Sequence, residues 1–208
     1  GSSVTWIGKI INSANRINQN FFRGKEYFET AKRTIEIDHH SVNSMFADFN
    51  YVDPVAPACC QVLIGMFEYF GIDIDKELGT CLLTGIITDT GGFKYSGVTS
   101  VTSDTFEFAA QLLRKGVNIS KICQEVLRTK TKAHCQLEKL IYERLEFIEN
   151  GKIAITYLTL KDYAEYSNGM GDDEGLVESI RDIEGVEVAV LLKEKENGGF
   201  KISMRSKD

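Results

Sequence analysis

The spacing of hydrophobic and polar residues divides the chain into two stretches of different character. As far as Gly151, apolar residues recur mainly at helix-like intervals, apart from one β-type run from Thr34 to Ile37 that stops at Asp38. Beyond Gly151, short strand-like and helix-like segments alternate, and Asn197-Gly198 is typical of a hairpin turn. Helices are predicted at residues 25–32, 58–70, 75–87, 103–115 (capped by Ser103 or Asp104), 160–166 and 173–182, a broken amphipathic stretch at 118–149, and strands at 34–37, 152–158, 186–192 and 199–204.

These elements predict an α/β fold with two domains. A helix that leads into a strand whose carboxyl end carries polar residues is an α/β pattern, and ligands bind at such strand ends. We assign residues 1–117 to a parallel-sheet domain, residues 118–150 to a helical linker and residues 151–208 to a smaller α+β domain.

Composition narrows the class of protein. The 208 residues are 43% hydrophobic and 26% charged, as in ordinary globular proteins. A net charge of −6 disfavours nonspecific binding to duplex DNA, which needs many phosphate contacts from Lys and Arg. The five cysteines show no C-x-x-C spacing and are expected to be reduced thiols, and no apolar run reaches the roughly 18 residues that span a membrane. We therefore expect a cytoplasmic protein.

The first candidate for chemistry is Asp38-His39-His40, at the end of the strand predicted at 34–37. Imidazoles combined with carboxylates suit a first-row divalent metal, and an oxygen-rich mixture favours manganese or magnesium over structural zinc. Asp38 is placed either to orient an imidazole or to bind metal directly. Taken alone, the tripeptide also fits a polar strand-to-loop corner without catalysis.

The second candidate is Asp89, which follows the apolar run from Leu82 to Ile87 within the string Thr88-Asp89-Thr90-Gly91-Gly92. A carboxylate at the end of a buried element, with flexible backbone beside it, can approach a metal and a phosphate closely. A helix-terminating turn with a solvated aspartate would explain the glycines but not the whole string.

Together these segments resemble one known family. The runs Ile37-Asp38-His39-His40-Ser41-Val42-Asn43, Phe49-Asn50-Tyr51-Val52-Asp53-Pro54 and Gly85 to Ser96 are similar to the bacterial nanoRNase/pAp phosphatase branch of the DHH phosphoesterases. The final run from Lys201 to Ser206 resembles a strand of the DHH-associated C-terminal domain. The likeness extends from about Arg23 to Lys207.

The resemblance implies a two-metal hydrolase that uses Mn²⁺ or Mg²⁺. It implies that His39 and Asp89 bind metal, that Asp38 orients the site, and that His40 contacts the phosphate or the attacking water. Arg205 and Ser206 would hold the substrate. The implied substrates are short single-stranded oligoribonucleotides and 3′-phosphoadenosine 5′-phosphate, with no membrane partner and with a homodimer left open.

The chain departs from the family pattern before residue 37. The family builds its centre from four motifs, and the first two supply a histidine and several aspartates, whereas no His precedes His39 and no Asp precedes Asp38. We expect that a segment is missing between residues 3 and 23, that the glycine-rich loop expected after Ser206 is missing too, and that activity in the chain as it stands is impaired. Two alternatives stay open: a cyclic dinucleotide phosphodiesterase, and a non-catalytic nucleotide-binding protein.

Overall fold

A computed structural model describes residues 30–95, 101–167 and 172–207 of the chain. The structure divides between Thr129 and Lys130 into two compact units, each with its own hydrophobic core. The α/β class expected from the sequence is confirmed, whereas the separate linker at 118–150 stays a prediction. Of the helix expected at 25–32, residues 25–29 lie outside the described residues, and residues 31 and 32 are not helical. Within the described residues, no helix is both long and apolar enough to cross a membrane.

The described part of the first unit begins with two parallel strands. Strand β1 (Ile35–Asp38) pairs with β2 (Phe49–Val52) in a register that sets Asp38 beside Val52. The position of β1 matches the predicted strand to within one residue. Strand β2 was not predicted, because the polar Asn50 interrupts a four-residue run that leads straight into Asp53-Pro54.

Four helices complete the described part of the first unit. They are α1 (Cys59–Tyr69), α2 (Lys76–Asp89), α3 (Ser103–Arg114) and α4 (Ile119–Cys123), and a π-helical turn (Gln124–Arg128) continues α4. Helices α1 to α4 were predicted within a few residues, with one error of capping. The hydroxyl of Thr102, rather than Ser103 or Asp104, caps α3 by accepting from the Thr105 N–H.

The core of the first unit lies between these helices. Its fully buried side chains include Ile64 on α1 and Leu83, Ile86 and Ile87 on α2. Burial of an Ile or Leu side chain contributes about 1.5–3 kcal/mol. This packing holds α1 and α2 together and so fixes the carboxyl end of α2.

The second unit is a mixed four-stranded sheet with three helices. Its elements are α5 (Lys132–Glu143), β3 (Glu146–Ile148), a 3-10 turn (Glu149–Gly151), β4 (Ile153–Leu158), α6 (Leu160–Tyr166), α7 (Leu176–Arg181), β5 (Val188–Glu194) and β6 (Phe200–Ser206). The strand order is β3-β4-β5-β6, with β4 and β5 parallel and the outer pairs antiparallel. The hairpin predicted at Asn197-Gly198 joins β5 to β6.

Two predictions in this unit were wrong. The amphipathic stretch was expected to stay helical to residue 149, but the helix ends at Glu143 and β3 follows as an edge strand, where Ile148 pairs with Ile153. The helix predicted from residue 173 begins only at Leu176, after a turn at residues 172–175. In both cases tertiary pairing or turn geometry outweighs helical spacing.

A salt bridge fastens α5 to the start of α6. Arg144 donates through Nη1 and Nη2 to the two carboxylate oxygens of Asp162, at 2.6 and 2.9 Å. Asp162 also accepts from the N–H of Thr159, the N-cap of α6, at 2.7 Å. The hydrogen bonds from Arg144 are the main cause that lowers the pKa of Asp162 to about 2.

Candidate metal centre

The carboxyl ends of β1 and β2 lie side by side because the strands are parallel. The Asp53 N–H donates to the Asp38 carbonyl oxygen at 3.0 Å, which extends the pairing just past the end of β2. The side chains that follow β1 therefore emerge at the sheet edge where α/β proteins place their ligands.

The Asp38 carboxylate is surrounded by hydrogen-bond donors. Its Oδ1 accepts from the His39 N–H at 2.7 Å and lies 2.7 Å from His40 Nδ1, and its Oδ2 accepts from Asn43 Nδ2 at 2.6 Å. Burial alone raises the pKa of Asp38, but the hydrogen bonds from His40, Asn43 and the His39 backbone outweigh it and hold that pKa below its ordinary value. Asp38 is thus an anion with most of its acceptor capacity already in use.

His39 is oriented by a backbone carbonyl. Its Nδ1 lies 3.1 Å from the carbonyl oxygen of Ala56, and since a carbonyl only accepts, Nδ1 carries the proton. The lone pair is then on Nε2, which lies 3.7 Å from Oδ2 of Asp89. Both side chains are shielded from solvent, with exposed fractions of 11% for His39 and 10% for Asp89.

His40 is oriented by Asp38 in the same sense. Because Asp38 is an anion, the 2.7 Å contact places a proton on His40 Nδ1 and leaves Nε2 with the lone pair. The two imidazole rings are 4.6 Å apart and tilted by 55°. Both histidines therefore present Nε2 as the nitrogen that can accept a proton or bind a cation.

Asp89 is the last residue of α2, which extends two residues beyond the helix end predicted at Ile87. The position of Asp89 depends on a close approach between α1 and α2. A Cβ atom at Gly85, one helical turn before Asp89, would overlap the sulfur of Cys60. The turn that follows is fixed by the Thr90 hydroxyl, which donates to the Ile86 carbonyl at 2.6 Å and accepts from the Phe93 N–H at 3.0 Å.

The donor set suits a divalent cation. Among the described residues, ligand atoms of Asp38, His39 and His40 lie within 4.8 Å of one another. Asp38 and His40 are already hydrogen-bonded to each other, whereas His39 Nε2 and Asp89 Oδ2 face each other and could both bind a cation. Metal binding by His39 and Asp89 stays a prediction. Ligands of one ion with bonds of about 2.1 Å lie about 3.0–3.4 Å apart, so the 3.7 Å separation needs an approach of roughly half an ångström.

A neighbouring thiol does not join this set. The Cys59 Sγ donates to the Ile37 carbonyl oxygen at 3.3 Å. Burial, and then the charges of Asp38 and Asp89, raise the pKa of Cys59 to about 11. In the metal-free chain the thiol stays protonated at neutral pH, so the donors available at this centre are imidazole nitrogens and carboxylate oxygens.

Proteins with named activities are similar to most of this chain. No protein-family model matches the chain. The bifunctional oligoribonuclease and PAP phosphatase of Thermus thermophilus is 30% identical over 173 residues, which cover 83% of this chain and 50% of that protein. The Bacillus subtilis protein of the same name is 21% identical over 206 residues, which cover 98% of this chain and 64% of that one.

A solved structure supports the same assignment. An exopolyphosphatase-related protein from Bacteroides fragilis superposes with a TM-score of 0.76 at 28% identity, and the match covers 85% of this chain and 51% of that one. These matches confirm the resemblance to the DHH phosphoesterase family. Proteins of that family are metal-dependent phosphoesterases. The chain spans about half to under two thirds of the length of the relatives described above.

The two residues expected to hold substrate are Arg205 and Ser206, and they lie at the end of β6 in the second unit. The Arg205 guanidinium donates through Nε to Glu178 at 2.7 Å and through Nη1 to the Met204 carbonyl oxygen at 2.9 Å. Arg205 is half exposed, and an ion pair of this kind contributes about 0–1 kcal/mol, so a phosphate could displace Glu178 at little cost. Substrate binding by Arg205 and Ser206 stays a prediction.

Sequence reasoning missed the residues that orient the centre. Asn43 was quoted only as part of a motif, and Glu36 was not considered. The alternation of a strand sets Glu36 and Asp38 on the same face of β1, a signal that could have been used. The Ala56 carbonyl, being a backbone group, leaves no trace in the sequence.

Proposed function

We propose that this chain is part of a metal-dependent phosphoesterase that cleaves short oligoribonucleotides and removes a phosphate from 3′-phosphoadenosine 5′-phosphate. The observation that carries the proposal is the pairing of His39 Nε2 with Asp89 Oδ2 at 3.7 Å, in a centre where both imidazoles already present Nε2. The Thermus thermophilus relative, named for those two activities, supplies the substrate class.

In this proposal His39 and Asp89 hold a divalent cation, Mn²⁺ or Mg²⁺. When bound, such an ion polarises a phosphate ester and lowers the pKa of water. No His precedes His39 and no Asp precedes Asp38 in the chain, so the motifs that it carries would supply ligands for one ion. The second ion of a two-metal centre would need ligands from the motifs that precede residue 37 in the family.

The proposed roles of the other residues follow from their hydrogen bonds. His40 Nε2 accepts a proton from the attacking water, and the Asp38 carboxylate stabilises the positive charge that then forms on the ring. His40 returns that proton to the leaving oxygen of the ester. Arg205 would hold a substrate phosphate once released from Glu178, since its planar guanidinium suits phosphate oxygens. A cytoplasmic location remains part of the proposal, in keeping with the five free thiols.

The test combines Mn²⁺ titration with hydrolysis of the dinucleotide pApA and of 3′-phosphoadenosine 5′-phosphate. The His39→Asn and Asp89→Asn variants are expected to bind Mn²⁺ at least about 10-fold more weakly than the unchanged chain. The matched control is His134→Asn, because His134 lies on α5 in the second unit and is not one of the residues expected to bind metal. Turnover is measured both in this chain and in one that also carries the two preceding motifs.

Each outcome bears on a different part of the proposal. No Mn²⁺ uptake by the unchanged chain would refute the metal centre. Mn²⁺ uptake without turnover, even with the preceding motifs present, would instead favour a non-catalytic nucleotide-binding protein.

A further inference from the structure

Asn43 joins two carboxylates of β1 through a single amide group. Its Nδ2 donates to Glu36 Oε1 at 2.8 Å and to Asp38 Oδ2 at 2.6 Å. Glu36 and Asp38 are two residues apart on the same face of the strand, so their negative charges face each other across this amide. The second oxygen of Glu36, Oε2, is buried and has no hydrogen-bond partner in the described part of the chain. Asn43 is therefore the donor that these two carboxylates share.

The other end of the Asn43 side chain fixes which way the amide points. Its Oδ1 accepts from the Met45 N–H at 2.6 Å, and Met45 adopts a left-handed backbone conformation with φ of 50° to make that turn. With Oδ1 occupied by a donor, Nδ2 must be directed at the carboxylates. A strained non-glycine residue is thus retained in a turn that aims the amide at Asp38.

We propose that Asn43 is a positioning residue for the two histidines. By holding Oδ2 of Asp38, Asn43 turns Oδ1 toward the His39 N–H and His40 Nδ1, and so keeps His40 in the tautomer with a proton on Nδ1 and a lone pair on Nε2. The consequence for metal binding rests on the proposed function, whereas the tautomer of His40 does not. A general feature of metal sites supports this role, since mutation of a group that orients a metal ligand typically weakens metal binding 10–100-fold.

The decisive measurement is the ¹⁵N NMR spectrum of the histidine rings in the metal-free chain. The chain has only three histidines, and His134, which lies on α5 of the second unit, serves as the internal reference. In the unchanged chain, His40 is expected to be protonated at Nδ1. Asn43→Asp keeps the oxygen that accepts from Met45 but has no N–H for Asp38, and it is expected to give His40 a mixture of tautomers. Asn43→Ala is expected to do the same.

The matched control is Asn50→Ala. Asn50 lies on β2 and bonds only one backbone unit: its side chain accepts from the Ala47 N–H at 3.1 Å and donates to the Ala47 carbonyl at 2.8 Å, and neither bond involves Asp38. The Asn50→Ala variant should leave the His40 tautomer unchanged and should bind Mn²⁺ within about threefold of the unchanged chain. Both Asn43 variants should weaken Mn²⁺ binding about 10–100-fold. Circular dichroism verifies that every variant is folded.

The outcomes separate this inference from the proposed function. If His40 keeps its Nδ1 proton in folded Asn43→Asp, or if Asn50→Ala disturbs the tautomer as much, the positioning role is wrong. If the unchanged chain takes up no Mn²⁺ but the tautomer shifts as expected, the metal centre fails and the positioning role of Asn43 stands.

Discussion

Adding one methyl group at Gly85 tests how the centre is assembled. Gly85 lies in α2 where this helix passes close to Cys60 of α1, and a Cβ atom there would overlap the Cys60 sulfur and lie 3.1 Å from the Cys60 Cβ. The side chain of Cys60 is only 1% exposed, so the sulfur has little room to move. The substitution Gly85→Ala should therefore push α2 away from α1.

The effect of Gly85→Ala on the free energy of unfolding should differ between two backgrounds. In the unchanged chain, overpacking costs about 1–3 kcal/mol against a gain of about 1 kcal/mol in helix propensity, so Gly85→Ala should destabilise by up to about 2 kcal/mol. In a Cys60→Ala background the sulfur is gone and the new methyl group fills the space that it leaves. There only the gain of about 1 kcal/mol in helix propensity remains, which gives a coupling free energy of about 1–3 kcal/mol.

The assay is urea unfolding of the unchanged chain, the two single variants and the double variant. Gly65→Ala is the matched control, because Gly65 lies in α1 with nothing within 4 Å of its would-be Cβ, and it should have the same effect in both backgrounds. Mn²⁺ affinity is the second measurement. Since Asp89 lies one helical turn beyond Gly85, Gly85→Ala should weaken Mn²⁺ binding and the double variant should recover it.

The reasoning is refuted if Gly85→Ala changes the free energy of unfolding equally with and without the Cys60 sulfur. That result would mean that glycine is present at this position for a reason other than the contact between α1 and α2. A loss of Mn²⁺ affinity that the double variant does not recover would separate the packing from the position of Asp89.

Two further predictions concern ionisable groups. The pKa of Asp162 falls from 3.8 to about 2 on folding, mainly because of Arg144, so this carboxylate should contribute about 2 kcal/mol to stability above pH 4 and lose that contribution as the pH falls toward 2. Urea midpoints should show this loss, and Asp162→Asn should abolish it; an equal pH dependence in the variant would contradict the assignment. Burial raises the pKa of Cys59 to about 11 and that of Cys60 to about 12, so a thiol reagent at pH 7.5 should modify them only after unfolding, whereas rapid labelling in the folded chain would exclude their burial. The thiols expected to react first are the exposed Cys81 and Cys135.

Much of the architecture could be predicted because local signals agreed with the final packing. The β-type run before Asp38, the helix after Asp75 and the hairpin at Asn197-Gly198 each carry their own boundary residues. Strand β2 lacks such signals and exists because it pairs with β1. Strand β3 was read as helix because its helical spacing is overridden by its partner β4.

The centre could be predicted only in part, for a related reason. Motifs identify His39 and Asp89, which are 50 positions apart in the sequence, but not the 3.7 Å between their side-chain atoms. The partner that Arg205 finds in Glu178 arises from the packing of α7 near β6, and no local pattern announces it. Contacts between distant residues depend on how helices and strands pack against each other. Hydrophobic spacing predicts the type of each element but not this packing.

The parallel pairing of β1 and β2 has a consequence for the segment that joins them. A strand of four residues advances about 13 Å, and the chain must travel back over that length before a second strand can run in the same direction. A tight hairpin turn can join only antiparallel strands, so the parallel pairing requires a connection of several residues between Asp38 and Phe49. The connection at residues 39–48 is longer than this distance requires. Its extra length allows His40 and Asn43 to fold back and contact side chains at the end of β1.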